Sequence, residues 1–209
     1  LSGLNATQNA MAVSSQNVAN ANATGYVTEI ANVQSRDTNG VGSGVAVART
    51  TLASNAPLQN AVWSQNAEVG ALAVQNTALS ALASVQGSTS SDSGASGTLS
   101  DQLGNVQSAL IALTATPGDS AAQRTVVTSA QQMTATIQTL AETYQTQRQG
   151  AQDGIVGDVA SANTNLTTIG SLTTQIMKLQ AQGLSTADLE NQRNIAVYNL
   201  SGILSIKTQ

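Results

Sequence analysis

The sequence predicts a mainly α-helical protein, an elongated helical bundle or coiled coil with long helices and a small extended or β segment near residues 26–50. Aromatic residues make up only 2 % of the chain, and much of the 41 % hydrophobic content is alanine. Such a thin core suits slender helical bundles better than a globular enzyme. Apolar residues also recur at spacings of three and four over long stretches, which is the interval of one helical face.

The first predicted helix covers about residues 2–22. Its large apolar residues Leu4, Met11 and Val18 lie seven residues apart in a stretch without charged residues. A helix of this kind gains little from intrinsic propensity, so we expect neighbours, including other chains, to stabilise it. Gly25 suits a left-handed residue at its end. A generic surface helix followed by a loop is the simpler alternative.

An extended or hairpin connector follows and completes a predicted N-terminal axial segment over residues 1–56. Residues 27–33 and 44–50 alternate weakly, as short strands do, and Asn39–Gly44 between them is rich in turn residues. A phosphate-binding loop is disfavoured because the glycines lack both the Lys-Ser/Thr ending and the dinucleotide spacing.

An elongated helical domain is predicted over residues 57–205, with helices at about 57–86, 98–115, 120–181 and 186–204. Trp63 is expected to cover the end of the bundle beside the first stripe. The predicted stripes comprise Val62, Val69, Leu72, Leu79 and Leu82; Leu99, Leu103, Val106, Leu110 and Leu113; Val126 or Val127, Ala130, Met133, Ile137, Leu140 and Tyr144; Ile155, Val159, Ala162, Leu166, Ile169, Leu172, Ile176 and Leu179; and Leu189, Arg193, Val197, Leu200 and Leu204.

Local signals set the expected helix ends. Residues 87–97 form a Gly/Ser-rich stretch, which predicts a mobile surface loop. Capping-box spacings begin at Thr98, Ser120 and Ser185. The glycines of Gly150–Gly157 predict a bend or break in the longest helix, because each costs about 1 kcal/mol relative to alanine. Gly183 suits a helix C-terminal cap.

The composition argues against catalysis, and we predict no catalytic, metal or cofactor-binding residue. The chain has neither Cys nor His, which removes thiolate chemistry and the commonest general base. Asp153 and Asp158 lack the EF-hand spacing of a calcium site. A net charge of −4 gives no support to nucleic-acid binding. No apolar run is long enough for membrane insertion, and no cleavable signal is visible.

Short motifs resemble a known family. Ser2-Gly3-Leu4, Gln8, Ala10-Met11, Asn17–Asn20 and Gly25-Tyr26 resemble the N-terminal signature of bacterial flagellar rod, hook and hook-associated proteins. Val27-Thr28 departs from that pattern. A second set resembles the helical region of the hook-associated protein 1 family, and it comprises Pro117–Asp119, Ala121–Arg124, Asp188-Leu189, Gln192-Arg193 and Leu200-Ser201.

The resemblance implies an extracellular structural subunit of the flagellum at the junction between hook and filament. Such a subunit would be exported unfolded through the flagellar secretion channel and assembled as a tube by helix packing. Implied partners are other copies, the neighbouring hook and second junction proteins, and an export chaperone that binds a C-terminal region. The resemblance also implies that the family's outer domains and paired C-terminal helix, the usual intrachain partner of residues 1–22, are absent here. The start at Leu1 rather than Met separately suggests a fragment.

The residues expected to make subunit or axial contacts are Leu4, Met11, Val18, Gly25 and Tyr26. For Leu4, Met11 and Val18, the expected partner is another subunit or the family's terminal helix. A helical coiled-coil adhesin or binding module at the cell surface is the main alternative. An acidic enzyme fragment is a weaker one.

Overall fold

The computed structural model describes residues 1–86 and 98–206, and its 73 % helix confirms the mainly α-helical class. The described helices are α1 (Ser2–Ala19), α2 (Ala56–Gln86), α3 (Leu99–Ala115), α4 (Ser120–Ala181) and α5 (Ala187–Ser201). The described strands are β1 (Glu29–Ile30), β2 (Val33–Thr38), β3 (Val41–Val47) and β4 (Thr51–Leu52). The helices α1 and α5 end about three residues earlier than predicted. The loop predicted over residues 87–97 lies outside the described residues.

The chain packs as two compact units. The first comprises Leu1–Ala71 and Gly157–Gln209, and the second comprises Leu72–Val156. The first unit therefore contains α1, all four strands, α5 and parts of α2 and α4. The second contains α3 and the remaining parts of α2 and α4. The sequence-based division near residue 56 stays a prediction.

The β segment predicted near residues 26–50 forms a hairpin in the first unit, but the predicted strand bounds are wrong. Strand β2 extends to Thr38, and β3 begins at Val41, inside the predicted turn. Strands β2 and β3 pair antiparallel, with an irregularity between Arg36 and Asp37. Asn39 and Gly40 connect them with φ angles of 55° and 81°, as in the type I′ turns that match hairpin twist. The Asp37 carboxylate accepts a 2.7 Å hydrogen bond from the Gly40 N–H. The shorter strands β1 and β4 also pair antiparallel, so the two ends of the hairpin are tied together.

Helix α2 packs through a face that the sequence analysis did not predict. Val62 and Val69 are 44 % and 55 % exposed, and the predicted apolar stripe through them is wrong. The packed face instead carries Trp63, which is buried, together with Asn66 and Gly70. A Cβ atom on Gly70 would lie 2.5 Å from the carbonyl oxygen of Gly202. Only a residue without a side chain allows this close approach of α2 to the end of α5.

A buried polar contact joins α2 to α5. The Asn66 Nδ2 group donates hydrogen bonds to the Tyr198 carbonyl at 3.1 Å and to Ser201 Oγ at 2.9 Å. The Ser201 hydroxyl donates in turn to the same carbonyl at 2.6 Å. Ser201 is fully buried, so these bonds satisfy a hydroxyl that would otherwise be costly to remove from water.

Helix α4 runs without interruption through Gly150–Gly157, so the expected break is absent. The hydrogen bonds of the surrounding turns outweigh a glycine cost of about 1 kcal/mol per residue. In the first unit, the predicted stripe is right for Ala162, Leu172 and Ile176, which are buried. It is wrong for Leu166, which is 52 % exposed.

The predicted stripes of the second unit are right in part, because Val106 and Leu113 of α3 and Met133 and Leu140 of α4 are half-buried. In α3, Leu103 and Leu110 are exposed, whereas Ala109 between them is buried. In α4, Ile137 and Tyr144 are exposed. The packed positions of α4 alternate between predicted apolar residues and small hydroxyl residues, and they comprise Val126, Ser129, Met133, Thr136, Leu140 and Thr143. Small side chains at every second packed position allow the axis of α4 to lie close to that of a neighbouring helix.

The predicted caps have mixed outcomes. Thr98 and Asp101 form the expected capping box, with reciprocal bonds of 3.0 and 3.1 Å. The box predicted at Ser120 is wrong, because the Asp119 carboxylate accepts from the Ala121 N–H instead. The box predicted at Ser185 is also absent, since the Ser185 hydroxyl donates instead to the carbonyl of Thr50, the residue before β4. Gly183 has a φ of 74° just after α4, as predicted for a C-terminal cap.

Candidate assembly surface

One face of α1 packs against the protein's own β strands. Ala6 is buried, and Asn9, Val13 and Asn17 are half-buried along the same face. This face contacts β3 and β1, where the Val45 N–H donates to Ser2 Oγ at 3.4 Å. Apart from Val13, the packed side chains are therefore small or polar.

The large apolar residues of α1 lie on nearly the opposite face. Leu4, Met11 and Val18 are 58 %, 67 % and 74 % exposed. We call these three residues the outer stripe. A seven-residue spacing keeps them on one line along the helix, and the first unit leaves that line open to solvent. Three exposed apolar side chains on one line make this side of α1 a candidate interaction surface.

The other two predicted contact residues, Gly25 and Tyr26, lie away from the outer stripe and act within the chain. Gly25 has a φ of 83°, but α1 ends at Ala19, so Gly25 does not cap this helix. A Cβ atom on Gly25 would lie 3.2 Å from Tyr198 Cβ, which shows how closely this turn approaches α5. A side chain at this position would therefore be both crowded and strained.

Asn17 joins α1 to the segment that follows it. Its Oδ1 accepts hydrogen bonds from the Tyr26 hydroxyl at 2.9 Å and from the Glu29 N–H at 2.8 Å. Its Nδ2 donates to the Glu29 carbonyl at 2.9 Å. One amide thus holds the turn after α1 against the helix. The resemblance motif contains both Asn17 and Tyr26, and the structure gives them this shared positioning role.

Asn191 of α5 makes the corresponding connection from the other side, and the sequence analysis missed it. This residue is 3 % exposed. Its Oδ1 accepts from the Val27 N–H at 2.8 Å, and its Nδ2 donates to the Val27 carbonyl at 2.9 Å. The same Nδ2 donates to Glu29 Oε1 at 3.0 Å. The Asn191 amide therefore makes the two backbone hydrogen bonds that a neighbouring strand would otherwise make with Val27. The sequence signal that could have revealed Asn191 is its position one helical turn after Ala187. Both residues lie on the packed side of α5.

The carboxyl groups of Glu29 and Asp188 lie near each other and next to α1. Glu29 is 7 % exposed, and this burial is the main reason why its pKa is raised. The Asn191 hydrogen bond partly opposes the rise, and the adjacent Asp188 carboxyl adds to it. Asp188 also accepts a 2.6 Å hydrogen bond from Gln16 Nε2 of α1. The predicted cap residue of α5 is thus part of the contact between α5 and α1.

We expect Glu29→Gln to stabilise the protein at pH 7. A carboxyl whose folded-state pKa is above its usual 4.5 contributes stability below about pH 4.5, which is lost as the pH rises through the folded-state pKa. Glutamine keeps an acceptor for Asn191 and carries no charge. Thermal unfolding from pH 4 to 8 should give the variant the higher Tm at neutral pH and a difference that shrinks on acidification.

The matched control for Glu29→Gln is Glu68→Gln, because Glu68 is exposed on α2. Its replacement should change the free energy of unfolding by less than about 0.5 kcal/mol, as is usual at exposed positions. A Glu29→Gln protein that melts below the wild type at pH 7 would show that the buried carboxylate is a net stabiliser.

Within residues 1–86 and 98–206, no group of three or more His, Cys, Asp or Glu side chains is arranged to hold a metal ion. No helix in the same described part of the chain combines the length and apolarity required to cross a membrane.

Comparison with protein families identifies the chain. A family model described as the flagellar hook-associated protein FlgK helical domain matches residues 82–209. A model described as flagella basal body rod protein matches residues 1–26, the stretch that carries α1 and the outer stripe. No curated protein and no solved structure gives a significant match. Both families are structural flagellar components rather than enzymes, and such components assemble outside the cell. Because the first match covers more than half of the chain, this protein belongs to the flagellar hook-associated protein FlgK family and is a structural component of the flagellum.

Proposed function

We propose that this protein is a subunit of the junction between the hook and the filament, and that it assembles through the outer stripe of α1. The single observation that carries the proposal is the orientation of this helix. The face that packs against the chain is small or polar except for Val13, whereas Leu4, Met11 and Val18 are more than half exposed. Burying one such side chain contributes roughly 1.5–3 kcal/mol, so three of them give neighbouring subunits a substantial contact.

The way α1 is attached supports export in an unfolded state before assembly. The helix carries no charged residue, and its contacts with the chain include amide hydrogen bonds through Gln16 and Asn17. Short isolated helices are marginal in water. The proposed sequence of events is passage through the flagellar secretion channel, folding of the first unit, and burial of the outer stripe on contact with other subunits. The hook and the second junction protein would be its neighbours along the axis.

Imaging flagella from a strain that lacks the protein tests the proposal. We expect hooks without attached filaments, and restoration of filaments when the wild-type gene is supplied in trans. Labelled protein in the restored strain should lie at the boundary between hook and filament. Normal filaments in the deletion strain would contradict the junction role.

A further inference from the structure

The tip of the hairpin carries the only Asn-Gly pair of the sequence, Asn39-Gly40. Both residues are exposed, and a Cβ atom added to Gly40 would meet nothing within 4 Å. An asparagine followed by glycine is especially prone to spontaneous deamidation, because glycine has no side chain to obstruct the attack of its own nitrogen on the asparagine side chain. The pair is therefore a candidate site of chemical modification.

The reaction needs only water besides the protein. The Gly40 N–H first loses its proton to solvent base, and the nitrogen then attacks Asn39 Cγ. The new N–Cγ bond closes a cyclic imide, while the Cγ–Nδ2 bond breaks and the amide nitrogen takes up protons and leaves as ammonia. Water then opens the imide at either carbonyl, which gives aspartate or isoaspartate at position 39. The two requirements are a deprotonated Gly40 nitrogen and a backbone conformation that brings this nitrogen to Cγ.

The folded hairpin does not provide the required backbone conformation. Asn39 and Gly40 have φ angles of 55° and 81°, and in type I′ turns the ψ angle of the first central residue is about 30°. At that angle the Gly40 nitrogen and the Asn39 Cβ lie on opposite sides of the bond between Cα and the carbonyl carbon, whereas the imide ring needs them on the same side. Thr38 pairs with Val41 across the turn, so ring closure requires the hairpin end to open.

The Asp37 carboxylate opposes the other requirement, the loss of the Gly40 proton. Its Oδ1 accepts a hydrogen bond from the Gly40 N–H at 2.7 Å, a distance typical of charge-assisted bonds. The bond stabilises the protonated nitrogen, and the negative carboxylate disfavours a second negative charge beside it. In the unfolded chain nothing holds Asp37 against Gly40, so this protection depends on the folded turn.

We propose that Asn39 is a deamidation site of this protein, and that the Asp37 carboxylate protects it once the hairpin has folded. The vulnerable interval is then the time that the chain spends unfolded. Isoaspartate would add one carbon to the backbone of the two-residue turn and disturb the pairing of β2 with β3. Because β3 packs against α1, the damage would also reach that helix. This inference concerns the hairpin alone and does not depend on the junction role.

The test follows conversion of Asn39 in the purified protein by peptide mass spectrometry, in mildly alkaline buffer with and without denaturant. Methylation by an isoaspartyl methyltransferase identifies the isoaspartate product. Wild type and Asp37→Ala should convert at similar rates in denaturant. Without denaturant, the wild type should convert at least about tenfold more slowly than it does unfolded. Folded Asp37→Ala should convert about tenfold faster than folded wild type, the low end expected for losing a hydrogen bond to a charged group.

Thr38→Val is the matched control, because it removes the 3.1 Å hydrogen bond from the Thr38 hydroxyl to Ser43 Oγ and leaves the bond between Asp37 and Gly40. It should convert at the wild-type rate. Asp37→Asn keeps an acceptor oxygen and should convert more slowly than Asp37→Ala.

Three results would overturn the inference. Equal conversion of the wild type with and without denaturant would remove the protective role of the fold. Folded Asp37→Ala that converts no faster than folded wild type, or no faster than folded Thr38→Val, would remove the role of the carboxylate. An Asn39 that stays unconverted in denaturant would remove the modification site itself.

Discussion

Met11→Asp is expected to abolish incorporation into flagella while moving the Tm of the isolated chain by only about 1–2 °C. Met11 is 67 % exposed, so a carboxylate at this position remains in water in the unassembled protein. In an assembled contact the same carboxylate would be buried without a partner, which costs several kcal/mol. Every subunit repeats the defect.

The measurement compares thermal unfolding with the amount of variant recovered in isolated flagella. Met11→Leu is the matched control, because it conserves the apolar surface and should still assemble. A Met11→Asp protein that assembles at the wild-type level would show that the outer stripe is not an assembly surface. A large fall in Tm would show that Met11 stabilises the fold of the single chain.

Asn191→Ala has the largest expected effect on stability, a loss of about 2–4 kcal/mol in the free energy of unfolding. The substitution leaves the Val27 N–H, the Val27 carbonyl and the Glu29 carboxyl without the partners that Asn191 provides. A buried polar group without a hydrogen-bond partner carries its full desolvation penalty. The segment between α1 and β1 should therefore detach from α5.

Denaturant unfolding measures the predicted loss, and Asn199→Ala provides the control on the same helix. Asn199 is exposed, so its replacement should change the free energy of unfolding by less than about 0.5 kcal/mol. Equal stability losses for the two variants would mean that the Asn191 hydrogen bonds contribute nothing beyond helix propensity.

The sequence was sufficient to predict the approximate positions of the helices and of the hairpin turn, because local signals determine them. The capping box at Thr98 and the turn residues Asn39 and Gly40 each favour one backbone conformation. The long α4 was predicted from its periodicity, although its glycines suggested a break that does not occur.

The orientation of several helices could not be predicted from the same periodicity. Helix α2 packs through Asn66 and Gly70. The exposed apolar residues of this helix include Val62, Val69, Leu72 and Leu79. In a chain with 9 % charged residues, the two sides of a helix differ little in polarity. The packed side is then decided by how closely two backbones approach, as at Gly70 and Gly202, and this depends on the tertiary structure.

Part of the candidate site could likewise be predicted from the sequence. The spacing of Leu4, Met11 and Val18 predicted one helical line, and the structure places them on one exposed line. Their contact with other subunits stays a prediction. The hydrogen bonds that hold Val27 and Glu29 were not predictable, because Asn191 is 164 residues away from Val27 and has no distinctive sequence context.

The most direct measurement of the proposed role of α1 is the reactivity of a single thiol at position 11. Because the sequence has no cysteine, Met11→Cys can be labelled with a maleimide in the unassembled chain, in intact flagella and in flagella dissociated after isolation. We predict rapid labelling of the unassembled and dissociated protein and strong protection in intact flagella. Equally rapid labelling in all three states would contradict the claim that the outer stripe is buried on assembly.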